Sequence, residues 1–384
     1  MGLQERSSII DQLATELKAP VLAYVTGDRT NLQTQVASDA VVRFIRHLRH
    51  LGDAEQLVLL LYTRGGEVNA AWPLVNALRA HCKRLLVVLP MVAHSAGTLI
   101  TLGADEVHMS RYATLSPIDP TVTNQYNSTD PLNPAQRLPI AVEDVLAYLE
   151  LAKAHDGHAD AFRRLSEQIH PLALGNVQRS INQIKGLAAR MLSLHEDPPS
   201  VEDTATLVSR LTTELYSHSH LIGRVEAKSM GFPVVEPAPQ VEELLFQYWT
   251  LLVQDLQLDE AFDPAALLRA APTPVAPQVV QPPGTTPGLP QLQGLPVPLP
   301  GSVPPGAPGI QLQGLQPTAM PSPKVVPVRL ERGYIETRDT CDAFVVSGEI
   351  REQTVPGQQT PFGLQPAQNM VAFEIHSDRW VTVR

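Results

Sequence analysis

The sequence predicts an α/β core on a mostly parallel sheet with a helical flank, followed by a Pro-rich linker and a small β-rich C-terminal module. Three observations predict it. Short apolar runs without polar alternation recur over the first 110 residues, each followed by a helix-like segment. Strands of that kind are buried on both faces, as in parallel sheets. Helix-like segments then follow one another as far as residue 216 without further strands. Finally, 17 of the 35 prolines fall between residues 271 and 327.

In chain order, Val21-Leu-Ala-Tyr-Val25 is a short β-prone run, and Ala37 to Leu51 spaces its apolar residues as an amphipathic helix does. Gln56-Leu-Val-Leu-Leu-Leu-Tyr62 is a buried strand that ends at Thr63-Arg-Gly-Gly66. Val68 to Cys82 predicts a helix, Arg84-Leu-Leu-Val-Val-Leu89 a strand, Ala96 to Gly103 a helix and Asp105-Glu-Val-His-Met109 a strand. Helices are expected over 141–155, 158–169, 175–195, 200–216 and 241–256. The proline-rich stretch, with few charges and few aromatic residues, reads as an extended tether. It repeats Gln-Leu-Gln-Gly-Leu at 291–295 and 311–315, too few copies for a solenoid. Beyond it, Val325–Leu330, Ala343–Val346, Met370–Ile375 and Trp380–Val383 look like strands, with His376-Ser-Asp-Arg379 turning the last pair into a hairpin. The expected organisation is a core over 1–262, a linker over 263–327 and a module over 328–384. About 57 residues make at most a marginal β module.

Composition excludes several function classes. A net charge of −10 argues against a general binder of nucleic acid or anionic membranes. Two cysteines, Cys82 and Cys341, are too few for a disulfide framework or a CxxC metal site and fit a reducing, cytoplasmic compartment. The opening twenty residues lack the apolar core of a signal peptide, and the most apolar stretch, Leu85 to Ala104, contains His94, two glycines and a proline, which argues against a membrane span. No HExxH, Walker loop or GxGxxG occurs; His81 and Cys82 lack two further ligands at metal spacing. Neither cofactor nor metal is expected.

Two features carry chemistry. Paired glycines in Thr63-Arg-Gly-Gly-Glu67, at the end of a buried strand, allow positive φ and leave N–H groups able to face an oxyanion. In Ala93-His-Ser-Ala-Gly97 a serine stands at the start of a helix, where unpaired N–H groups favour developing negative charge. Alone, that serine also reads as an ordinary helix cap.

Together, Val58-Leu-Leu-Leu-Tyr-Thr-Arg-Gly-Gly66, Ala93-His-Ser-Ala-Gly-Thr-Leu-Ile100, Gly103-Ala-Asp-Glu-Val107 and Leu115-Ser-Pro-Ile-Asp-Pro120 resemble the serine dehydrogenase proteinase family. That family belongs to the Clp protease/crotonase fold group and is related to signal peptide peptidase A. The resemblance runs from about residue 20 to 236 and leaves out the tether and the C-terminal module. It implies an ATP-independent serine peptidase acting on protein or peptide segments, assembled as a homo-oligomer. It also implies Ser95 as nucleophile, with the N–H groups of Gly66 and Ala96 as oxyanion hole.

The base is less directly indicated. Where Clp proteases carry histidine this chain has Asp119, and where they carry aspartate it reads Ser217-His-Ser-His-Leu-Ile222. A triad with its last two members exchanged follows: Ser95, His220 as base, Asp119 as orienting carboxylate. The geometry of a triad places no demand on chain order. His218 and His220 also read as loop residues, and Asp119 before Pro120 as a turn former. His94 is a third base candidate. By analogy with the Ser–Lys dyad of signal peptide peptidase A, Lys153 is the alternative base, although it lies on an amphipathic helix where an exposed lysine is ordinary. Two other readings stand beside the peptidase: a crotonase-like acyl-CoA enzyme, and a non-catalytic peptidase-like scaffold that binds proteins through its tether.

Overall fold

The computed structural model describes residues 2–118, 121–131, 133, 135–155, 157–215, 219–272, 324–355, 359–360, 363–364 and 368–384. The first part of the chain forms α1 (Gly2–Leu17), β1 (Val21–Thr26), α2 (Ala40–Leu51), β2 (Ala54–Tyr62), α3 (Val68–Arg79), β3 (Cys82–Leu89), β4 (Val92–Ala93), α4 (Ala96–Thr101) and β5 (Glu106–Met109). The short strands β6 (Thr114–Leu115), β7 (Thr121–Val122) and β8 (Ile140–Ala141) lead to α5 (Val142–Lys153), α6 (His158–Gln168), α7 (Pro171–Leu192) and α8 (Val201–Ser209). A π-helical turn at Arg210–Glu214 precedes β9 (Ile222–Gly223), α9 (Arg224–Met230), β10 (Val234–Val235), α10 (Pro239–Leu256) and α11 (Pro264–Ala270). The β-rich C-terminal region holds β11 (Val325–Glu336), β12 (Cys341–Val355), β13 (Gln359–Thr360), β14 (Gly363–Leu364) and β15 (Gln368–Thr382).

The main sheet has the order β10-β5-β3-β2-β1-β11-β12-β15. From β10 to β1 every pairing is parallel, with Val21 opposite Val58 and Leu57 opposite Leu85. Successive strand residues point to opposite faces, and here both faces are covered. Leu22, Tyr24, Leu57, Leu59, Leu61, Leu85 and Val87 feed one core, under α2, α3, α4 and α7. Val21, Ala23, Val25, Val58, Leu60, Leu86 and Val88 feed the other, under α1 and α10. This is why the strands carry no polar alternation. Each of these leucines and valines contributes about 1.5–3 kcal/mol by leaving water.

Packing divides the chain into two units. One comprises 1–263, 328–348 and 375–384; the other comprises 264–327 and 349–374, and holds α11 and the β13–β14 pair. Within the first, β11 pairs antiparallel with β1, Ala23 opposite Glu336 and Thr26 opposite Gly333. A β module of that length thus gains a neighbouring sheet. The sequence pattern did not indicate this pairing. The hairpin expected at His376–Arg379 does not form, because those residues lie inside β15. As the outermost strand of the sheet, β15 leaves His376, Asp378 and Arg379 exposed, and polar residues are usual on a protein's sheet edges.

Helix α1, which the sequence reading passed over, is fixed by charge as well as by Ile9, Ile10 and Leu13. Arg6 is buried with its guanidinium donating to both carboxylate oxygens of Glu336, at 2.9 and 3.1 Å, and also to Asp255. Tyr248 Oη donates to Glu336 Oε1 at 2.8 Å, and Arg6 stacks over the Tyr334 ring. Burial works against the Arg6 charge, but the Glu336 carboxylate more than restores it and raises its pKa above arginine's usual value.

Candidate active site

Beyond their paired strands, β2 and β3 stay in register through their loops. Thr63 N donates to Val92 O at 2.9 Å and His94 N to Thr63 O at 3.0 Å. The diglycine bend and the serine loop therefore lie side by side at the C-terminal edge of the parallel strands, where open α/β sheets place their sites. Buried Thr63 shapes the bend: its Oγ1 accepts from Gly65 N at 3.0 Å and shares a 2.6 Å contact with Thr26 Oγ1.

Gly65 has φ 101°, and a Cβ at that position would lie 2.7 Å from His94 O and 2.8 Å from Ser95 Cβ. Only a residue without a side chain brings the bend this close to the serine. Gly66, at φ 149°, presses on Val36. The bend is tied down there, because Val36 N donates to Gly65 O and Glu67 N to Val36 O, both at 2.8 Å.

Ser95 itself has φ 51° and ψ −112°, a conformation that costs an L-residue energy and occurs mainly where function requires it. Its side chain makes no capping hydrogen bond to α4. The helix-cap explanation of this serine therefore fails. A strained serine at a strand-to-helix turn is the arrangement that projects a hydroxyl out of a sheet edge. The strain is held from one side by Ser116, whose Oγ accepts from Ser95 N at 2.8 Å. Ser116 is buried and locked in turn: Thr98 Oγ1 donates to Ser116 O at 2.9 Å and accepts from Ser116 N at 3.1 Å. Ser116 received no role from sequence, although it lies within a quoted motif; the positive φ expected of the glycine pair is found at Gly65.

The small sheet β4-β6-β9 brings distant segments to the serine. Ala93 lies opposite Leu115 and Leu115 opposite Ile222. Ser95 lies two residues beyond the end of β4, and His220 two residues before the start of β9. The imidazole of half-exposed His220 is engaged through Nε2 with Glu226 Oε1 at 2.8 Å. His94 turns its Nε2 to Thr114 Oγ1 at 2.9 Å. Lys153 is exposed in the last turn of α5. Asp119 and His218 lie outside the described residues. Glu226 received no catalytic role from sequence, where it is a carboxylate six residues after a candidate base.

Burial pushes the half-buried Cys82 thiol up to about 11, which keeps Cys82 protonated at neutral pH. Among the described residues no group of three His, Cys, Asp or Glu is placed to hold a metal, and no helix is long and apolar enough to cross a membrane.

Residues 32–139 match the family of ClpP-like SDH-type serine proteinases. The resemblance seen in the diglycine and serine motifs is thereby shown for that segment, which contains the bend, Ser95 and Ser116. Two relatives are uncharacterized proteins of Methanocaldococcus jannaschii. One is 30% identical over 197 residues, 51% of this chain and 59% of the relative; the other is 25% identical over 205 residues, 53% and 61%. The chain thus spans about three fifths of the length of the curated relatives it matches. Two solved structures are similar: a serine-to-alanine variant of the 1510-N membrane-bound stomatin-specific protease, and a lysine-to-alanine variant of it in complex with a substrate peptide. Each has a TM-score of 0.33, with 18% and 20% identity; they cover 55% and 54% of this chain and 79% and 73% of theirs.

Proposed function

We propose that this chain is an ATP-independent serine peptidase whose nucleophile is Ser95. The observation that carries this reading is the conformation of Ser95: positive φ, no capping bond, and a diglycine bend against it. Strain in a serine that does no structural work calls for a chemical reason.

In this reading His220 takes the Oγ proton as Oγ bonds to the substrate carbonyl carbon, with a carboxylate, Asp119 on the sequence reading, orienting the imidazole. The oxyanion is received by the N–H groups of Gly66 and Ala96, each worth about 3 kcal/mol in the transition state. The carbon–nitrogen bond breaks as His220 passes its proton to the leaving amine. Water then hydrolyses the acyl-enzyme by the same relay. Lys153 is the alternative base, disfavoured by its exposure, since a neutral amine near pH 7 needs desolvation. We place the enzyme in the cytoplasm as a homo-oligomer acting on protein or peptide segments.

Fluorophosphonate labelling tests this directly. The intact chain should form an adduct at Ser95 that Ser95→Ala abolishes, whereas absence of the adduct returns the chain to the scaffold reading. On one peptide substrate, His220→Ala should lower kcat by about three decades and Lys153→Ala should leave it near wild type.

A further inference from the structure

We infer that Glu226 is the positioning residue for His220, taking the orienting role that the sequence reading gave to Asp119. This rests on the serine-peptidase reading and deepens it. A histidine acting as base must present one ring nitrogen to the nucleophile while the other is held by an acceptor, which fixes both tautomer and ring direction. His220 Nε2 meets Glu226 Oε1 at 2.8 Å, within the range of a well-formed hydrogen bond. With Nε2–H donated to the carboxylate, Nδ1 is left as the proton acceptor.

The fold gives this pair a fixed place. His220 lies two residues before β9, and Glu226 lies in the first turn of α9, which follows β9 directly. β9 is hydrogen-bonded to β6, and the residue after β6 is Ser116, the acceptor for the Ser95 N–H. One short strand therefore links the imidazole, its carboxylate and the support beneath the nucleophile. Glu226 is also independent of the neighbouring ion pairs, since Arg224 is directed to Glu236 and Glu242. The side chains of His220 and Glu226 are 37% and 38% exposed, so the pair is open to a substrate and is not part of the core.

The test uses the full chain and compares Glu226→Gln, Glu226→Asp, Asp119→Asn and His220→Ala. Rates of fluorophosphonate adduct formation at Ser95 are read together with kcat and KM on one peptide. Glu226→Gln should slow adduct formation and kcat about 10- to 100-fold with KM unchanged, and Glu226→Asp should recover most of the loss. In a His220→Ala background Glu226→Gln should add nothing, because it acts through the imidazole. Nitrogen-15 spectra of the His220 ring should show protonated Nε2 in wild type and a mixed tautomer in Glu226→Gln, a readout independent of turnover. Wild-type rates in Glu226→Gln, an equal loss with and without His220, or an unchanged tautomer overturn the inference. So does a loss confined to Asp119→Asn. In all of these the Ser95 adduct in wild type survives, whereas failure of the peptidase reading removes that adduct itself.

Discussion

Ser116 Oγ accepts the main-chain N–H of Ser95 at 2.8 Å and thereby holds the nucleophile candidate in its positive-φ conformation. The bond joins two loops that are parallel neighbours only as far as Ala93 and Leu115. Past that point the chain leaves the ladder, and a side chain takes over as acceptor.

Ser116→Ala should therefore remove a buried acceptor and release the Ser95 backbone. A loss of about 1–2 kcal/mol in urea unfolding is expected, together with a fall in kcat of about 10-fold and little change in KM.

Gly65→Ala should be more damaging at the site than in the core. The new methyl group meets His94 O and Ser95 Cβ inside 3 Å and imposes an unfavourable positive φ. Adduct formation at Ser95 should drop at least 100-fold, measured beside far-ultraviolet circular dichroism that stays close to wild type, while the φ penalty costs about 1–3 kcal/mol.

Glu336→Ala strips Arg6 of its bidentate partner and Tyr248 of its acceptor. Removing one member of a buried ion pair costs about 3–5 kcal/mol. Urea denaturation should show that loss, with Glu336→Gln intermediate. A chain cut before residue 324 loses β11 as well as Glu336 and should be recovered as insoluble protein.

Acidification should weaken the fold through buried His47 and half-buried His195. Burial lowers the pKa of His47, and the Asp342 carboxylate at its Nε2 only partly offsets this. Burial likewise lowers His195, against the Leu102 carbonyl at its Nε2. With folded values below the unfolded 6.5, the unfolded chain takes up protons first. This contribution is complete above that pH and is lost as pH falls toward the folded values. The urea midpoint should be lower at about pH 5.5 than at about pH 7.5, and the difference should shrink in His47→Gln.

The parts legible in the sequence were those fixed by local pattern. β2 and β3 were readable because burial on both faces leaves no polar residue in Leu57–Tyr62 or Leu85–Leu89. Ser95 and the diglycine bend were readable because their motifs are contiguous. The pairing of β11 with β1 was not, since a strand's own residues do not name its neighbour. Helix α1 was missed because its buried face includes Arg6, and nothing in a lone arginine announces a partner at residue 336. Glu226 stayed hidden for a similar reason: the turn through β9 that returns it to His220 is a matter of three-dimensional path.

The Arg6–Glu336 contact spans 330 residues of chain. On a ribosome, β1 emerges early with one flank satisfied by β2 and the other open until residues 325–336 have been made. At roughly 5–20 residues per second that wait lasts some tens of seconds. During it the nascent polypeptide exposes an apolar strand edge of the kind that chaperones cover. Slowing translation within the proline-rich stretch would lengthen that vulnerable interval without altering the finished molecule.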